Sequence, residues 1–245
     1  YVYKRQGIVY AREVEDQELT FGVSGKLIRN VLVMYDRETE SYWSQLLGEA
    51  VDGKMVGAKL NFVPSWFMSW EEWKEIHPDT LALDKNGRRG SRDTYDSYYA
   101  SDSAGVIGRS NFDDRLYTKE FVIGGELEDA AVAYPFSSLN AEPLINDSVG
   151  GKDLLVMLDL QSGAGTVFDR TVDGETLTFS PNDDHASMSD AESGSTWDRL
   201  TGKAIDGPLS GTELERIKSV ASFWFGWVDF HPDTIVYGLE PDAGG

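Results

Sequence analysis

The sequence predicts a mainly β (α+β) fold of two tandem related β-rich lobes, each with one short amphipathic helix. The first observation behind it is an internal repeat. Displacing the chain by 154 positions brings Trp43–Thr80 onto Trp197–Thr234 without a gap, and fifteen of the 38 pairs are identical. Two unrelated segments of this length and composition would share about two or three identical residues by chance. Solenoid repeats are about 20–50 residues long, so this period indicates a duplicated domain-sized unit.

The first copy is shorter than the second at its start. Upstream, the similarity continues at an offset of 158 as far as Gly7 and stops there, whereas the second copy extends back to Ala133-Tyr134-Pro135. We therefore expect the first copy to be truncated. Val2–Gln6 is what the end of a sequencing-library transposon gives on translation, so we interpret residues 1–6 as a sequencing artefact. A natural, divergent N-terminus is the alternative.

These limits define the predicted domain organisation. A polar segment rich in Gly, Asp, Ser and Tyr separates the two copies and is interpreted as a long connection. The predicted parts are the first lobe at 7–83, the connecting segment at 84–119, the second lobe at 120–240 and a tail at 241–245.

The second observation is a series of short β-rich runs separated by turn signals such as Ser24-Gly25 and Asp52-Gly53. The strands predicted in the first lobe are Gly7–Val14, Glu18–Val23, Val31–Tyr35, Tyr42–Leu46, Lys59–Val63 and Thr80–Leu83. Those predicted in the second lobe are Ala131–Tyr134, Leu154–Leu158, Thr166–Val172, Thr176–Phe179, Trp197–Leu200, Glu213–Ile217 and Thr234–Tyr237.

The third observation is one helix signature in each lobe. Ser69 and Glu72 have the spacing of a capping box, and a proline ends the helix by restricting the residue before it. Between these signals an aromatic stripe occupies one helical face. The stripe and its proline are Trp70, Trp73, His77 and Pro78 in the first lobe, and Trp224, Trp227, His231 and Pro232 in the second.

Charge and composition exclude several functions. The net charge of −20, from 42 acidic and 22 basic residues, argues against nucleic acid or anionic lipid as a partner, because both need clustered Lys and Arg. No apolar stretch reaches the eighteen or so residues of a membrane span. The acidic surface predicts a salt-adapted source, with calcium-dependent folding as the alternative.

Familiar catalytic signatures are missing from the sequence. The chain has no cysteine, which excludes disulfides, Cys-ligated zinc and thiol catalysis within it. The segment Gly22-Val23-Ser24-Gly25-Lys26 lacks the second glycine of a nucleophile elbow and the Ser or Thr that follows the lysine of a P-loop. We therefore assign no catalytic residue, cofactor or metal.

Two histidines fall at equivalent positions and are candidates for chemistry. His77 precedes Asp79, and His231 precedes Asp233, in the sequence His-Pro-Asp-Thr. A histidine beside an aspartate can act as a general base or bind a metal. The structural alternative, in which histidine caps a helix C-terminus and aspartate binds local N–H groups, is favoured because both copies retain it.

Other candidates also have structural interpretations that we favour. The paired tryptophans could form a sugar-binding face, but their helical spacing and duplication favour core anchors. The loops Asn182–His185 and Asp84–Gly87 offer oxygen ligands, yet neither completes a calcium-loop motif. Both are interpreted as acidic turns.

The chain resembles the family catalogued as domain of unknown function 3179, over essentially all of Gly7–Tyr237. The segments that carry the resemblance are Leu19–Gly25, Met34–Ser41, Trp43–Gln45, His77–Thr80, Ile145–Gly151 and Val167–Arg170. The resemblance implies a bacterial or archaeal protein outside the cytoplasm, often behind a signal peptide or lipid anchor, with no established activity.

Related members often carry Cys-Pro-x-Cys just upstream of the segment that matches Gly7. The two cysteine positions correspond to Tyr1 and Lys4, inside the suspected artefact. Cysteines at this spacing suit thiol redox chemistry or a soft metal. A redox or metal-binding protein that has lost this centre is therefore the alternative function.

The favoured function is a non-catalytic module that binds a small ligand or a protein partner between its lobes. The unshared connecting segment contains an aromatic and acidic cluster, which we predict to be the site: Asp93, Tyr95, Asp96, Tyr98 and Tyr99. A hydrolase is the third possibility. It requires His185 or His231 within hydrogen-bond reach of a serine or two carboxylates.

Overall fold

The computed structural model describes residues 7–66, 68–82, 84, 96–105, 107–160 and 163–239, apart from the side chains of Glu72 and Asp96. This part of the chain is mainly β, as predicted, with four short helices. The helices are α1 (Trp70–Ile76), α2 (Asp96–Tyr99), α3 (Phe136–Ala141) and α4 (Trp224–Val228).

The strands before residue 84 are β1 (Val9–Tyr10), β2 (Glu13–Val14), β3 (Gln17–Glu18), β4 (Phe21–Ile28), β5 (Val31–Asp36), β6 (Tyr42–Ser44), β7 (Glu49–Asp52) and β8 (Phe62–Val63). Those after residue 119 are β9 (Phe121–Glu126), β10 (Ala131–Pro135), β11 (Leu144–Val149), β12 (Lys152–Leu158), β13 (Gly165–Asp169), β14 (Thr171–Val172), β15 (Glu175–Thr176), β16 (Phe179–Pro181), β17 (Ser187–Asp190), β18 (Thr196–Asp198), β19 (Ala204–Asp206), β20 (Ser219–Phe223) and β21 (Ile235–Val236). We call residues 7–83 the first half and residues 120–240 the second half.

Two antiparallel sheets share one strand order. In the first half the order is β4-β5-β6-β7, and in the second it is β16-β17-β18-β19. The second half also contains the sheet β20-β9-β10-β21, in which β10 and β21 are parallel, and the antiparallel sheet β11-β12-β13. Three two-stranded ribbons, β1-β8, β2-β3 and β14-β15, complete the described strands.

A buried aspartate organises each of the two matching sheets. In the second half, Asp190 accepts hydrogen bonds from Trp197 Nε1 at 2.8 Å, from the backbone N–H of Ser195 at 3.1 Å and from Ser193 Oγ at 2.7 Å. In the first half, Asp36 accepts the equivalent bond from Trp43 Nε1, also at 2.8 Å. Both indole rings are fully buried, so this bond satisfies the N–H that burial would otherwise leave unpaired.

The turn that leaves each sheet is also the same. Gly53 and Gly207 have φ angles of 95° and 92°, in the region that favours glycine. A Cβ at either position would lie 2.7 Å from the Cα of Ser41 or Ser195. Only glycine fits between these strands, which explains the Asp-Gly pair in both halves.

One hydrophobic cluster joins the two halves. Val31 and Leu46 of the first half pack with Trp224, Trp227 and Val228 of the second. The edge of this cluster is formed by partly buried apolar side chains that include Ile8 and Phe230. The strand ends of the first sheet therefore lie against α4.

The helices differ from the prediction in two ways. The sequence assigned one helix to each lobe, but the second half contains both α3 and α4. α3 forms because Phe136 packs edge-to-face on Phe121, at 5.0 Å between ring centroids, and Leu139 is fully buried. α4 is buried on all sides rather than amphipathic, and it ends before His231.

The tryptophans are core anchors with one clear exception. Trp43, Trp197, Trp224 and Trp227 are fully buried, as predicted, whereas Trp70 is 51% exposed on α1. α1 begins at Trp70, directly after the predicted cap Ser69. The tryptophan stripe predicted for this helix is therefore buried only in part.

The strand predictions fail where pairing, not local pattern, decides the structure. Strand β21 forms because Ile235 pairs with Val132 of β10. The corresponding segment of the first half, described at 80–82, is not a strand, and its Leu81 is 94% exposed. β9 and β20 were not predicted, because glycine and serine dilute their apolar pattern. β7 was not predicted either, because two of its four residues are acidic.

Replacing Asp190 with asparagine places an amide N–H₂ against groups that donate hydrogen bonds. We expect Asp190→Asn to lower the free energy of unfolding by about 2–3 kcal/mol at pH 7, the scale of hydrogen bonds to a charged group. Urea unfolding measures the change, and Asp183→Asn, at an exposed position, is the matched control. Equal stability of the two variants would contradict the role given to this carboxylate.

The same carboxylate predicts a pH dependence. Burial raises the pKa of Asp190, but its bonds with Trp197 and Ser193 outweigh burial and hold the pKa below its ordinary value. A depressed folded-state pKa stabilises the protein above the unfolded-state value, about 3.9 for aspartate, and this stabilisation disappears as the pH falls through the folded-state pKa. The stability difference between wild type and Asp190→Asn should therefore shrink below about pH 4. A difference that stays constant from neutral pH down to acid unfolding would contradict this.

Candidate functional site

A cavity of about 270 Å³ lies between α1 of the first half and the sheets of the second half. Its floor is buried and consists of Met157, Ala164 and Thr166, from β12 and β13 and the loop between them. Helix α1 covers one side. The remaining lining residues are Met68, Glu75, Ile76, Asp159, His185, Ala186, Asp198, Arg199 and Leu200. An apolar floor with a few polar groups at the rim is typical of a small-molecule site.

Arg199 is the cation of this cavity, and the backbone holds it in place. It directly follows β18, whose Trp197 is anchored by Asp190. The Arg199 backbone N–H bonds the carbonyl of Ala186 at 3.0 Å, and its Nη1 donates to the carbonyl of His185, also at 3.0 Å. Burial lowers the pKa of the Arg199 guanidinium, against the opposing effect of nearby carboxylates. A partly buried guanidinium can recognise carboxylate and sulfonate groups.

His185 and Asp198 form the polar rim beside Arg199. His185 adopts a φ of 57°, which is uncommon for a residue with a side chain. Asp198 accepts hydrogen bonds from the backbone N–H and the hydroxyl of Thr201, each at 2.7 Å. Its carboxylate therefore fixes the turn after β18 and with it the position of Arg199.

Apolar side chains occupy two of the positions that match residues of the cavity in the repeat. At the sequence offsets given above, Thr166 matches Ile8 and Ile76 matches Phe230. Ile8 and Phe230 pack against the cluster that joins the halves. Arg199 matches Gln45, which is buried. Three residues that line the cavity therefore differ from their counterparts: Thr166, Ile76 and Arg199.

A second polar cluster, formed by Glu126, Lys218 and His231 of the second half, is hydrogen-bonded to the backbone of the first half. Glu126 bonds Lys218 Nζ at 2.5 Å, and its other carboxylate oxygen lies 3.5 Å from His231 Nε2. Lys218 Nζ also donates to the carbonyl of Leu47 in the first half, at 3.3 Å. Burial raises the pKa of Glu126, but His231 and Lys218 outweigh it and lower the pKa. Glu126 is therefore ionised, and the ammonium group of Lys218 compensates its negative charge.

The predicted histidine–aspartate pairs adopt different surroundings in the two halves. The His231 ring contacts Trp227 at 4.0 Å between centroids, and the exposed His77 ring contacts Trp73 at 4.2 Å, both in tilted geometry. Asp79 and Asp233 are both exposed. Among the described ion pairs, the carboxylate beside His231 is Glu126, which lies in a strand absent from the first half.

The predicted tyrosine site is described only in part. Asp93 and Tyr95 lie outside the described residues, and Asp96 is described by its backbone alone, at the start of α2. Tyr98 and Tyr99 contact each other edge-to-face at 5.8 Å. The buried ammonium group of Lys119 lies 3.7 Å from the Tyr98 ring centroid. Ligand binding by this cluster stays a prediction.

The acidic loop at Asn182–His185 is an ordered turn. Asp184 accepts hydrogen bonds from the N–H groups of Ala186 and Ser187 at 3.0 and 2.8 Å. In the other acidic loop only Asp84 is described. Within the described part of the chain, no group of three or more His, Asp or Glu side chains is arranged to hold a metal ion. None of the described helices is long and apolar enough to cross a membrane.

A comparison with known protein families shows to which family the chain belongs. The family described as "Protein of unknown function (DUF3179)" matches residues 5–234. The chain belongs to the DUF3179 family. Searches of curated proteins and of solved structures returned no match.

The sequence analysis of this DUF3179 chain missed the residues around the cavity. Thr166 and Arg199 were treated as ordinary strand positions, and His185 was considered as part of an acidic loop and as a candidate hydrolase residue. The signal that could have found them is the repeat itself: each occupies a position where the two halves differ inside an otherwise shared framework. The cavity also needs contacts between halves, which a sequence pattern does not show.

The ion pair between Glu126 and Lys218 predicts a specific loss of stability in this DUF3179 chain. Lys218→Met leaves the largely buried Glu126 carboxylate without its cation, and we expect the free energy of unfolding to fall by about 3 kcal/mol. Lys152→Met removes the exposed partner of Asp169 and should cost much less, because water screens an exposed ion pair. Urea unfolding of both variants measures the difference, and equal losses would refute the assignment.

Proposed function

We propose that this DUF3179 chain is a small-molecule-binding module built from two related halves, with its site in the cavity between α1 and the second half. The ligand class that we propose is an apolar molecule with one anionic group, which pairs with Arg199 against the repulsion of the lining residues Glu75, Asp159 and Asp198. The observation that carries the proposal is a contrast between two matching places in the fold. Ile8 and Phe230 pack against the cluster that joins the halves, whereas their counterparts Thr166 and Ile76 line an open cavity together with Arg199.

Duplication of an ancestral unit supports this comparison. The sheets have the same strand order, and the tryptophan bonds to Asp36 and Asp190 have the same length of 2.8 Å. A third pair of bonds agrees as well: the indole N–H of Trp73 and of Trp227 donates to a threonine hydroxyl at 2.9 Å in each half. Superposition of the halves in an experimental structure tests the duplication, and unrelated strand paths would overturn it.

The chemistry of the cavity favours binding over catalysis. Its buried floor offers a methionine, an alanine and a threonine, which provide contact area and one hydroxyl. Asp198 is engaged in a turn, and the guanidinium of Arg199 donates to a backbone carbonyl. These groups orient a ligand, with the sulfonate or carboxylate at Arg199 and the apolar part on the floor.

A filled-cavity variant tests the proposal with the fluorescent probe 8-anilinonaphthalene-1-sulfonate, which has apolar rings and one anionic group. We expect the natively folded protein to bind one probe molecule. Thr166→Ile combined with Ile76→Phe introduces the residue types of the matching positions, Ile8 and Phe230, into the cavity. The double variant should weaken binding at least about tenfold, a loss of about 1.4 kcal/mol in binding free energy.

The control for this experiment carries the same substitutions elsewhere. Thr171→Ile combined with Ile205→Phe places them at exposed positions and should bind the probe like wild type. Cooperative urea unfolding of each variant excludes a loosely packed state, which also binds this dye. Equal probe binding by the filled and control variants would overturn the proposed site.

We also infer a salt-adapted protein that works outside the cytoplasm. The net charge of −20 predicts self-repulsion that salt screens. The midpoint of urea unfolding should therefore rise as NaCl is increased to about 1 M, with or without a chelator. A midpoint that depends on the chelator at constant salt would instead indicate calcium-dependent folding. Recovery of the natural gene product from the cytoplasmic fraction of cells would contradict the inferred location.

A further inference from the structure

The outer face of the first sheet carries a second candidate binding surface, separate from the cavity. It is an open depression of about 700 Å³ on strands β4, β5 and β6. Its lining residues are Val23, Ser24, Tyr35, Arg37, Glu40 and Tyr42. We call it the tyrosine platform. An exposed aromatic surface on one face of a sheet can stack on the apolar face of a ligand.

Tyr35 lies flat in this platform because a glycine is beneath it. A Cβ at Gly22 would come within 2.8 Å of two ring atoms and the hydroxyl oxygen of Tyr35, so the ring rests directly on the backbone of β4. The residue is only half-buried. One face of the ring contacts the strand, and the ring also borders the depression.

Two cations border the same rings. Lys26 Nζ lies 3.7 Å from the centroid of Tyr42, and Arg37 Cζ lies 5.6 Å from the centroid of Tyr35. Arg37 Nη1 donates to the carbonyl of Phe21 at 2.8 Å, which fixes the guanidinium beside the ring. Neither cation belongs to an ion pair among the described residues. Exposed cations without carboxylate partners are notable in a chain of net charge −20.

An insertion builds this surface in the first half alone. Ten residues separate Phe21 from Leu32, but only six separate the matching Phe179 from Ala186. The additional residues form the bulge between Val23 and Leu27 that places Lys26 over Tyr42. The positions that match Tyr35, Arg37, Glu40 and Tyr42 in the second half are Ser189, Ala191, Gly194 and Thr196.

We propose that the tyrosine platform binds a carboxylated saccharide. A pyranose ring stacks on Tyr35, its carboxylate contacts Lys26 and Arg37, and its hydroxyl groups donate to Glu40. A peptide strand is the less suitable occupant. β4 is an edge strand, and its bulge interrupts the row of backbone groups that an added strand would need.

Calorimetric titration with trigalacturonic acid tests the proposal at low ionic strength. Arg37→Ala and Tyr35→Ser introduce the residues of the second half, and each should weaken binding at least about tenfold. Lys54→Gln removes an exposed cation elsewhere in the first half and should change the dissociation constant less than about twofold. The filled-cavity variant should bind the saccharide like wild type, because the two sites are separate.

Two further probes separate stacking from simple charge attraction. Maltotriose, a neutral trisaccharide, and hexaglutamate, an anionic peptide, should each bind at least about tenfold more weakly than trigalacturonic acid. Equal binding of the peptide would mean charge attraction alone and would overturn the proposal. The proposal would also be overturned if the wild type did not bind trigalacturonic acid, or if Arg37→Ala and Tyr35→Ser bound it like the wild type. Circular dichroism of both variants confirms that they are folded.

Discussion

The hydrogen bond between a buried aspartate and a buried tryptophan is the interaction on which the rest of this structure depends. Asp190 Oδ2 lies 2.8 Å from Trp197 Nε1, and the same oxygen also accepts a backbone N–H and a serine hydroxyl from the turn that joins the two strands. One carboxylate therefore fixes the hairpin, the indole and the start of the next turn. Arg199 follows two residues after that indole, so the core of the sheet determines where the guanidinium lies.

The two halves each contain a sheet of the same strand order, but the residues that follow the anchored strand differ. In the first half the residue after the anchored strand, Gln45, is buried, and the next residue, Leu46, packs with α4. In the second half Arg199 occupies the matching position and faces a cavity under α1. The Asp–Trp pair is shared because it sets the backbone, whereas the residues around the open cavity and on the tyrosine platform are free to differ.

The sequence predicted what local pattern determines and missed what pairing determines. The turn glycines, the anchoring tryptophans and the mainly β fold follow from spacing and residue type alone. β9 and β20 were missed because their Gly-Gly and Ser residues weaken the apolar signal, and they are strands through pairing with each other. α4 carried an amphipathic pattern, yet it is buried on all sides because the first half covers its remaining face. The cavity requires the same kind of contact, so a repeat comparison could nominate Thr166 and Arg199 but could not show that they line one cavity.

The most direct test of the proposed ligand site is a crystal structure grown with 8-anilinonaphthalene-1-sulfonate, since each molecule contains its own control. The account predicts one probe between α1 and β18, with its sulfonate on Arg199 and its rings over Thr166, and no probe at the matching position beside Gln45. A helix α1 packed directly onto the second half, with the cavity closed and the probe elsewhere or absent, would contradict it.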